Sequence, residues 1–379
     1  MEHQQFVFSD KIPATKEELL TQIKTMKKEL GNKLLIVAHH YVQKEIVKLA
    51  DIVGDSYKLA LDVSKQDATH IIFCGVMFMG EGAATLAKEN QHIYLPNVLA
   101  GCPMADMITS KKASDFCGYY KEKCGKDIAP LVYMNSNLET KAFVGRQNGS
   151  VCTSSNAKKI VTHYLNQNIP IFFFPDKNLG FNTAKELGLQ SQDVLMVLDS
   201  ENGYQFINMN GKIATDFKQA KMIMWHGYCP IHHAFLLEHI ETQTDNLDKK
   251  SYLLVHPEVE LEVASKADFI GSTQSIENHI KKLQSDPAFS PDKRKIIIGT
   301  EATFVKRLND SYHLDIVPLE DIACVNMKKI TLEDLYKTLL SIKNFVCFGA
   351  PLPPTVIVDP LLKNEAAIAL KNMIEISES

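Results

Sequence analysis

Apolar and polar positions along this chain alternate in a pattern that predicts strands and helices in turn. Short apolar runs, such as LLIV at residues 34–37, are typical of buried strands, and segments of helical length and period follow them. A capping-box pair, Thr15 with Glu18, predicts a helix that continues to about Gly31. Alternation of this kind favours α/β layers with parallel sheets.

Three segments of the chain share one plan, and each closes on a cysteine. An apolar strand runs into a polar triplet, a Gly/Ser/Thr cluster follows after a helix-length interval, and a second apolar strand precedes the cysteine. The segments read LLIVAHHY, GDS, HIIFCGV, AGC; then LVYMN, TSS, IFFFPDKN, HGYC; then YLLVHPE, GST, IIIGTE, DIAC. We therefore predict an α/β fold of three pseudo-threefold-related domains, with small parallel sheets around a central metal cluster and active site.

The repeats also suggest domain boundaries. We expect α/β domains at residues 1–103, 104–230 and 231–324, with the C-terminal residues 325–379 packing on the first. Those C-terminal residues contain a strongly amphipathic helix, LEDLYKTLLSIKNF, and a last helix at 364–376. Residues 109–129 match nothing in the other two units and are interpreted as an inserted loop or short helix.

Composition excludes several classes of protein. The formal charge of -4 and the pI near 6.4 lack the excess of basic residues that is typical of nucleic-acid-binding proteins. No apolar run approaches the roughly 18 residues that span a bilayer, and the first ten residues lack the features of a secretory signal. We expect a cytoplasmic protein that acts without a membrane, whose eight cysteines stay reduced.

Polar triplets at the ends of the first strands are the candidate catalytic groups. Side chains at the carboxyl ends of parallel strands project into the crevice where ligands bind. The three triplets are His39-His40-Tyr41, Tyr133-Met134-Asn135 and His256-Pro257-Glu258. They supply imidazole, phenol, amide and carboxylate groups suited to proton transfer. Strand ends can also be polar simply because they meet water, but three at equivalent places favour a site.

The Ser/Thr clusters have two interpretations, as helix N-caps or as parts of an anion-binding site. The pairs and triplets Asp55-Ser56, Thr153-Ser154-Ser155 and Ser272-Thr273 precede helical patterns and can act as N-caps. A helix N-terminus with hydroxyls is also an anion site. If the three units are arranged around one axis, these termini converge on a cavity suited to carboxylates or a phosphate.

The cysteines Cys102, Cys229 and Cys324 lie in equivalent frames and are the candidate metal ligands. A 4Fe–4S cluster usually takes four thiolates, so three would leave one iron open as a Lewis acid. Soft thiolate ligands also suit zinc, and buried cysteine is often only packing. Cys74 and Cys347 lie in apolar runs interpreted as core strands. The insertion holds Cys117 and Cys124, to which no role can be given.

These residues carry a resemblance to the quinolinate synthase family of de novo NAD biosynthesis. It covers about residues 34–333, in the family's order. The matching segments are AHHYVQKEIVKLADIVGDSYKLA, FCGVMFMGEGAATL, LPNVLAGCPMAD, VYMNSNLETKA, VCTSSNA, FPDKNLG, WHGYCPIH, VHPEVELEVASKADFIGST, GTEATFVKRL and ACVNMKKIT. So long an ordered series is far more specific than any single motif.

The resemblance implies a transferase that condenses iminoaspartate with dihydroxyacetone phosphate, releasing phosphate and two waters. It implies one 4Fe–4S cluster on Cys102, Cys229 and Cys324, acting as a Lewis acid. It also implies functional coupling to an aspartate oxidase or dehydrogenase that supplies the imine. Carried over to matching positions, the catalytic residues are Tyr41, His256 and Glu258. The substrate-binding residues are His39, Ser56, Tyr133, Asn135, Ser154, His232, Ser272 and Thr273.

Two departures from the family pattern are visible, and other functions stay open. Val259 stands where many members have a cysteine, and the segment 109–129 is longer than in compact members. From the residues alone, an iron–sulfur hydro-lyase acting on another carboxylate, a cluster-based sensor and a zinc enzyme are alternatives. Glu258 and the two tyrosines argue against a sensor, which has no use for paired acid–base groups.

Overall fold

The computed structural model describes residue 13 and residues 15–244, 250–286, 289 and 294–379. The N-terminal residues from which we predicted the absence of a secretory signal lie outside that part of the chain. Among the described residues, no helix is both long and apolar enough to cross a membrane.

The first unit is built from short, buried parallel strands with helices between them. Its opening helix is fixed by the predicted capping box, in which Thr15 and Glu18 bond each other's backbone N–H groups. The elements are α1 (Lys16–Leu30), β1 (Leu34–His39), α2 (Lys44–Leu49), β2 (Ile52–Gly54), α3 (Ser56–Lys65), β3 (His70–Cys74), α4 (Met77–Leu86) and β4 (His92–Tyr94), followed by a 3₁₀ turn, Pro103–Asp106.

The second unit follows the same plan, again beginning with a helix, and adds an antiparallel hairpin. Its elements are α5 (Ser110–Cys124), β5 (Ala129–Tyr133), α6 (Leu138–Arg146), β6 (Ser150–Cys152), α7 (Ala157–Asn166), β7 (Ile171–Phe174), α8 (Lys177–Glu186), β8 (Val194–Ser200), β9 (Gly203–Asn208), β10 (Met222–Trp225) and α9 (Pro230–His233). The hairpin is β8 with β9, and it extends the sheet to six strands.

The third unit returns to the four-stranded plan. Its elements are α10 (Leu237–Thr244), β11 (Lys250–Val255), α11 (Leu261–Ala264), β12 (Phe269–Ile270), α12 (Thr273–Gln284), β13 (Arg294–Gly299), α13 (Ala302–Ser311), β14 (Ile316–Pro318) and α14 (Val325–Lys328). The C-terminal part adds α15 (Leu332–Phe348) and α16 (Pro360–Glu378).

All three sheets repeat one strand order. The orders are β2-β1-β3-β4, β6-β5-β7-β10 with the hairpin beyond, and β12-β11-β13-β14, and every pairing except the hairpin is parallel. A side-chain hydrogen bond to the first strand is also repeated in two units. Asp51 accepts the N–H of Ile36 on β1, and Asp268 accepts that of Leu253 on β11. The predicted fold class, three α/β units with small parallel sheets, is confirmed.

The segment that matches no other unit forms α5, a 15-residue helix. It buries Phe116 and Tyr120 completely, and the Phe116 ring lies 4.4 Å from that of Phe172 on β7. The insertion is therefore part of the second unit's core and not a loose loop.

The C-terminal helices contact two units. Helix α15 packs on α1 and β3 of the first unit, whereas α16 packs chiefly on α6 and also touches β6 and α7 of the second. The domain boundaries themselves stay a prediction. The interpretation of Cys347 as a core strand residue is wrong, because it is exposed near the end of α15; Cys74 is buried on β3.

Candidate active site

A cavity of about 130 Å³ lies where the carboxyl ends of β1, β5 and β11 approach one another. Because parallel strands in the three units end at corresponding edges, the three polar triplets meet there. Twelve of the predicted site residues line this cavity: His39, Tyr41, Ser56, Cys102, Tyr133, Asn135, Ser154, Cys229, His256, Glu258, Thr273 and Cys324.

Two predicted substrate-binding residues do not line it. Ser272 is the N-cap of α12, where its hydroxyl accepts the Ser275 N–H, and it faces a separate surface depression. His232 is buried behind Glu258. The resemblance implies that both residues bind substrate. Whether a side chain reaches the cavity depends on tertiary packing, which a sequence motif does not specify.

Glu258 is the most highly connected side chain of the site. It is 2% exposed; Oε1 accepts a hydrogen bond from the Tyr133 hydroxyl, and Oε2 lies 2.6 Å from His232 Nδ1. Burial alone would raise its pKa, but the neighbouring His256 and His232 and the two hydrogen bonds lower it. The carboxylate is therefore ionised and held in one orientation.

A chain of hydrogen bonds leads from Glu258 to Tyr41. The other ring nitrogen of His232, Nε2, lies 2.9 Å from Thr300 Oγ1, and that hydroxyl lies 2.9 Å from the Tyr41 hydroxyl. With Nδ1–H of His232 donating to the carboxylate, Thr300 can donate to Nε2 and Tyr41 to Thr300. The path joins a base to a phenol on the cavity wall.

His39 and His256 are matched in local geometry. Each accepts at Nδ1 the backbone N–H of the residue two positions later, Tyr41 and Glu258 respectively. Burial, with neighbouring imidazoles, lowers the pKa of each to about 3. Both rings are therefore neutral near pH 7 and act through hydrogen bonds and not as cations.

Hydroxyls and helix N-termini line another part of the cavity. Ser56 begins α3 and Thr273 begins α12, and Ser154 lies just before α7. Within the part of the chain that the structure describes, no Lys or Arg lines the cavity. An anion here would rely on hydroxyls and the positive ends of helices.

The three predicted ligand cysteines occupy equivalent positions on this cavity. Each is the N-cap of a one-turn helix, at Pro103–Asp106, Pro230–His233 and Val325–Lys328. Each has an extended backbone, and each cysteine carbonyl accepts an N–H from that turn. The repeated frame predicted from sequence thus corresponds to a repeated local structure.

Without a bound metal, burial keeps the three thiols protonated. Burial raises the pKa of Cys102 to about 12 and also raises those of Cys229 and Cys324. Thiols in such surroundings become thiolates when a metal displaces the proton. Cys229, His232 and Glu258 also offer ligand atoms within 4.8 Å of one another, but His232 and Glu258 already bond to each other. The three-thiol set is therefore the better fit for a metal centre.

Sequence reasoning missed several polar residues beside the site. Thr300 directly follows the third strand of its unit, whereas the predicted triplets follow the first strands. Asp55 was interpreted only as a cap, yet it lines the cavity and its Oδ2 accepts a hydrogen bond from the Ser155 hydroxyl at 2.9 Å, joining two units. Asp176 and Glu301 stand at the ends of β7 and β13, inside the matching segments FPDKNLG and GTEATFVKRL.

The chain is similar to known proteins along most of its length. The family model described as quinolinate synthetase A protein matches residues 21–375. A quinolinate synthase of Streptomyces coelicolor is 35% identical over 366 residues, covering 94% of this chain and 88% of that protein. Those of Geobacillus sp. (strain WCH70) and Staphylococcus carnosus are 36% and 38% identical; they cover 95% and 85% of this chain, and 94% and 85% of their own lengths.

Proposed function

The chain belongs to the quinolinate synthetase A protein family, and on that premise we propose that it is a quinolinate synthase of NAD biosynthesis. Its reaction would condense iminoaspartate with dihydroxyacetone phosphate and yield quinolinate, inorganic phosphate and two waters. By type this is a transferase reaction that combines condensation with dehydration.

One observation supports the proposal above all: candidate cluster ligands and candidate acid–base groups line the same cavity. Three thiols in equivalent frames line it together with Glu258, whose hydrogen bonds lead to Tyr41. A condensation followed by dehydrations needs repeated proton transfers beside a group that polarises oxygen. The alternative of a sensor would leave the Glu258 network without use.

Proton transfers fall to the Glu258 network. Moving one proton along each hydrogen bond, from Tyr41 to Thr300, from Thr300 to His232 Nε2 and from His232 Nδ1 to Glu258, transfers a net proton from the phenol to the carboxylate. The Tyr41 oxygen can then accept a proton from a substrate oxygen in the cavity, and the reverse movement lets it donate one. Burial raises the pKa of Tyr41, so it remains a phenol between turnovers.

The neutral side chains of the cavity would bind the substrates. His39, His256 and Asn135 supply hydrogen bonds to a carboxylate or carbonyl of the imine portion. Ser56, Ser154 and Thr273, at or beside helix N-termini, supply donors for the phosphate. Cleavage of that phosphate ester is the step that a plain hydro-lyase would not perform.

Cys102, Cys229 and Cys324 would hold one 4Fe–4S cluster. When bound, the cluster supplies an iron without a protein thiolate, which acts as a Lewis acid on a substrate oxygen. Each of these cysteines precedes a short helical turn beside the cavity, which fixes the backbone from which its thiol projects.

Replacing one ligand tests the cofactor. We expect Cys229→Ser to lose the broad visible absorption of the cluster together with turnover, because serine is a poor ligand for a soft metal site. Iron and acid-labile sulfide analysis of anaerobically purified protein would measure this. The buried Cys74→Ser variant is the control and should keep the cluster, since Cys74 lies on β3 away from the cavity lining. A full cluster in Cys229→Ser would contradict the assignment.

The substrate also implies a supplier. Iminoaspartate is an unstable imine, and an oxidase or dehydrogenase acting on aspartate is the class of enzyme that forms it. We propose functional coupling to such an enzyme, with small molecules as the direct binding partners.

The experiment that tests the function uses anaerobically purified protein with an iminoaspartate-generating system and dihydroxyacetone phosphate. Quinolinate and inorganic phosphate should appear together in equal amounts. Release of neither product by protein with an intact cluster would overturn the proposal and point to another dehydratase substrate.

A further inference from the structure

The three cysteine segments are tied to the fold by the same backbone hydrogen bond. In each unit, the first residue of the helix after the third strand donates its N–H to the carbonyl two residues before the cysteine. The pairs are Met77 to Ala100, Lys177 to Gly227 and Ala302 to Ile322, each at 2.8 Å. This bond is common to all three units.

In the second unit a buried carboxylate adds a further bond. Asp176 is fully buried and is the N-cap of α8, where Oδ1 accepts the Leu179 N–H at 2.8 Å. Its other oxygen, Oδ2, accepts the N–H of Cys229 itself at 2.9 Å. One oxygen is enough to cap the helix, so the hydrogen bond from the Cys229 N–H to the second oxygen is additional to capping.

The third unit repeats this arrangement with a different residue type. Glu301 is fully buried and is the N-cap of α13, where Oε2 accepts the Phe304 N–H at 3.1 Å. Oε1 accepts the N–H of Cys324 at 3.1 Å and a hydrogen bond from the Thr303 hydroxyl at 3.0 Å. Both carboxylates thus reach from a helix cap to a candidate ligand.

The first unit provides an internal comparison. The position that corresponds to Asp176 and Glu301 is Val76, the N-cap of α4, which has no polar side chain. The Cys102 segment is nevertheless held by the common backbone bond. The carboxylates are therefore not required to fold a segment of this kind, and their second bond calls for another explanation.

We propose that Asp176 and Glu301 are positioning residues for the metal centre, which fix the peptide groups of Cys229 and Cys324 so that both thiols stay in place. The inference rests on the proposed three-cysteine cluster. A cluster with only three protein ligands, and one iron that exchanges substrate, has no spare thiolate if one moves away. A bond from a buried carboxylate to the ligand's own N–H restricts the peptide plane from which the side chain projects.

The test measures each cysteine separately. Cluster-containing wild type, Asp176→Asn and Glu301→Gln would be alkylated anaerobically with iodoacetamide, and the labelled peptides quantified by mass spectrometry. In Asp176→Asn the amide NH₂ would face one of the two N–H groups, so we expect Cys229 to label about tenfold faster or more. In Glu301→Gln the same rise should appear at Cys324.

The unaffected cysteines and one further variant are the controls. Cys102 should label at the wild-type rate in both variants, because the two substituted carboxylates bond the N–H groups of Cys229 and Cys324 and not that of Cys102. Asp268→Asn removes a carboxylate that accepts a strand N–H, that of Leu253, and should alter none of the three rates. The electron paramagnetic resonance spectrum of the reduced cluster should change in the two test variants and stay unchanged in this control.

Two results would overturn the inference. One is unchanged labelling of Cys229 and Cys324 with an unchanged spectrum; the other is an equal rise at all three cysteines, which would indicate general loosening of the fold. If Asp176→Asn does not fold, Glu301→Gln asks the same question in the third unit, and a normal Cys324 rate there overturns the inference. Wild type that binds no iron–sulfur cluster would instead defeat the proposed function first.

Discussion

At the scale of single residues, the environment of Glu258 decides the chemistry that the cavity can perform. The side chain has almost no contact with water, yet Tyr133 and His232 stabilise its charged form with hydrogen bonds. A buried base that is ionised and connected to a phenol is suited to moving protons without bulk solvent. This arrangement joins residues from all three units.

Changing Glu258 to Gln should separate proton transfer from cluster binding. The amide keeps the size of the side chain but replaces an acceptor with a donor facing His232 or Tyr133. We expect an intact cluster and a rate of quinolinate formation reduced by about 100-fold or more, the usual contribution of general acid–base catalysis. A near-normal rate would remove Glu258 from the acid–base roles.

Glu260→Gln is the matched control for that variant. Glu260 lies two residues further on, pairs with Lys177 and His233, and does not line the cavity. Its substitution should leave the rate within a few-fold of wild type. A large loss there would mean that the segment as a whole, and not the Glu258 carboxylate, controls turnover.

At the scale of elements, the close approach of α16 to α6 depends on a glycine. A Cβ added to Gly145 on α6 would lie 1.9 Å from the backbone carbonyl oxygen of Glu365 on α16. Backbone cannot rotate away as a side chain can, so the two helices would have to separate. The C-terminal helix therefore docks on the second unit because α6 has no side chain at that point.

Gly145→Ala should loosen this contact. We expect the free energy of unfolding to fall by about 1–3 kcal/mol, the usual cost of overpacking, and the C-terminal helix to become sensitive to proteolysis. Urea denaturation and limited digestion would measure both. Unchanged stability would show that the helices can separate without cost.

Gly118→Ala on α5 is the corresponding control, because an added Cβ there meets no atom within 4 Å. Removing a glycine from a helix interior should raise stability by up to about 1 kcal/mol. The two substitutions are chemically identical and should differ in sign, since only Gly145 contacts another helix.

At the scale of the whole molecule, the first two units share one continuous apolar core with α15 and α16. The third unit instead packs the two faces of its sheet in separate clusters. Polar contacts, such as that of Tyr41 with Thr300, connect the third unit to the first at the cavity. The site thus lies where the separately packed third unit meets the other two.

Global stability should fall at alkaline pH because the core contains buried thiols. Burial raises the pKa of Cys74 from its ordinary value of 9.0 to about 12. Between these values the unfolded chain has lost a proton that the folded protein keeps, so the folded state loses stability as pH rises. Below about pH 9 the Cys74 thiol keeps its proton in both states, so its contribution to the stability of the folded state is fully present.

Cys74→Ala should reduce this dependence on pH. The slope of the unfolding free energy above pH 9 should become less steep by up to about 1.4 kcal/mol per pH unit. Denaturation midpoints at several pH values would measure the slope, which is unaffected by a constant loss of packing. Cys347→Ala, at an exposed position on α15, should leave the slope unchanged. Equal slopes for Cys74→Ala and wild type would contradict the prediction.

The sequence by itself determined the three α/β units, the capped first helix and the equivalent frames of the three cysteines. These features depend on short-range signals, such as apolar period and capping residues, which neighbours in the chain supply. It also indicated the triplets that line the cavity, because side chains at the carboxyl ends of parallel strands project into the crevice where ligands bind.

Only the tertiary structure decided how those residues are connected. The path from Glu258 through His232 and Thr300 to Tyr41 joins residues far apart in the chain, and no local pattern specifies it. The exclusion of Ser272 from the cavity and the exposure of Cys347 depend likewise on which surfaces pack together. Contacts between distant segments form where whole elements fit, and that fit is a property of the folded chain.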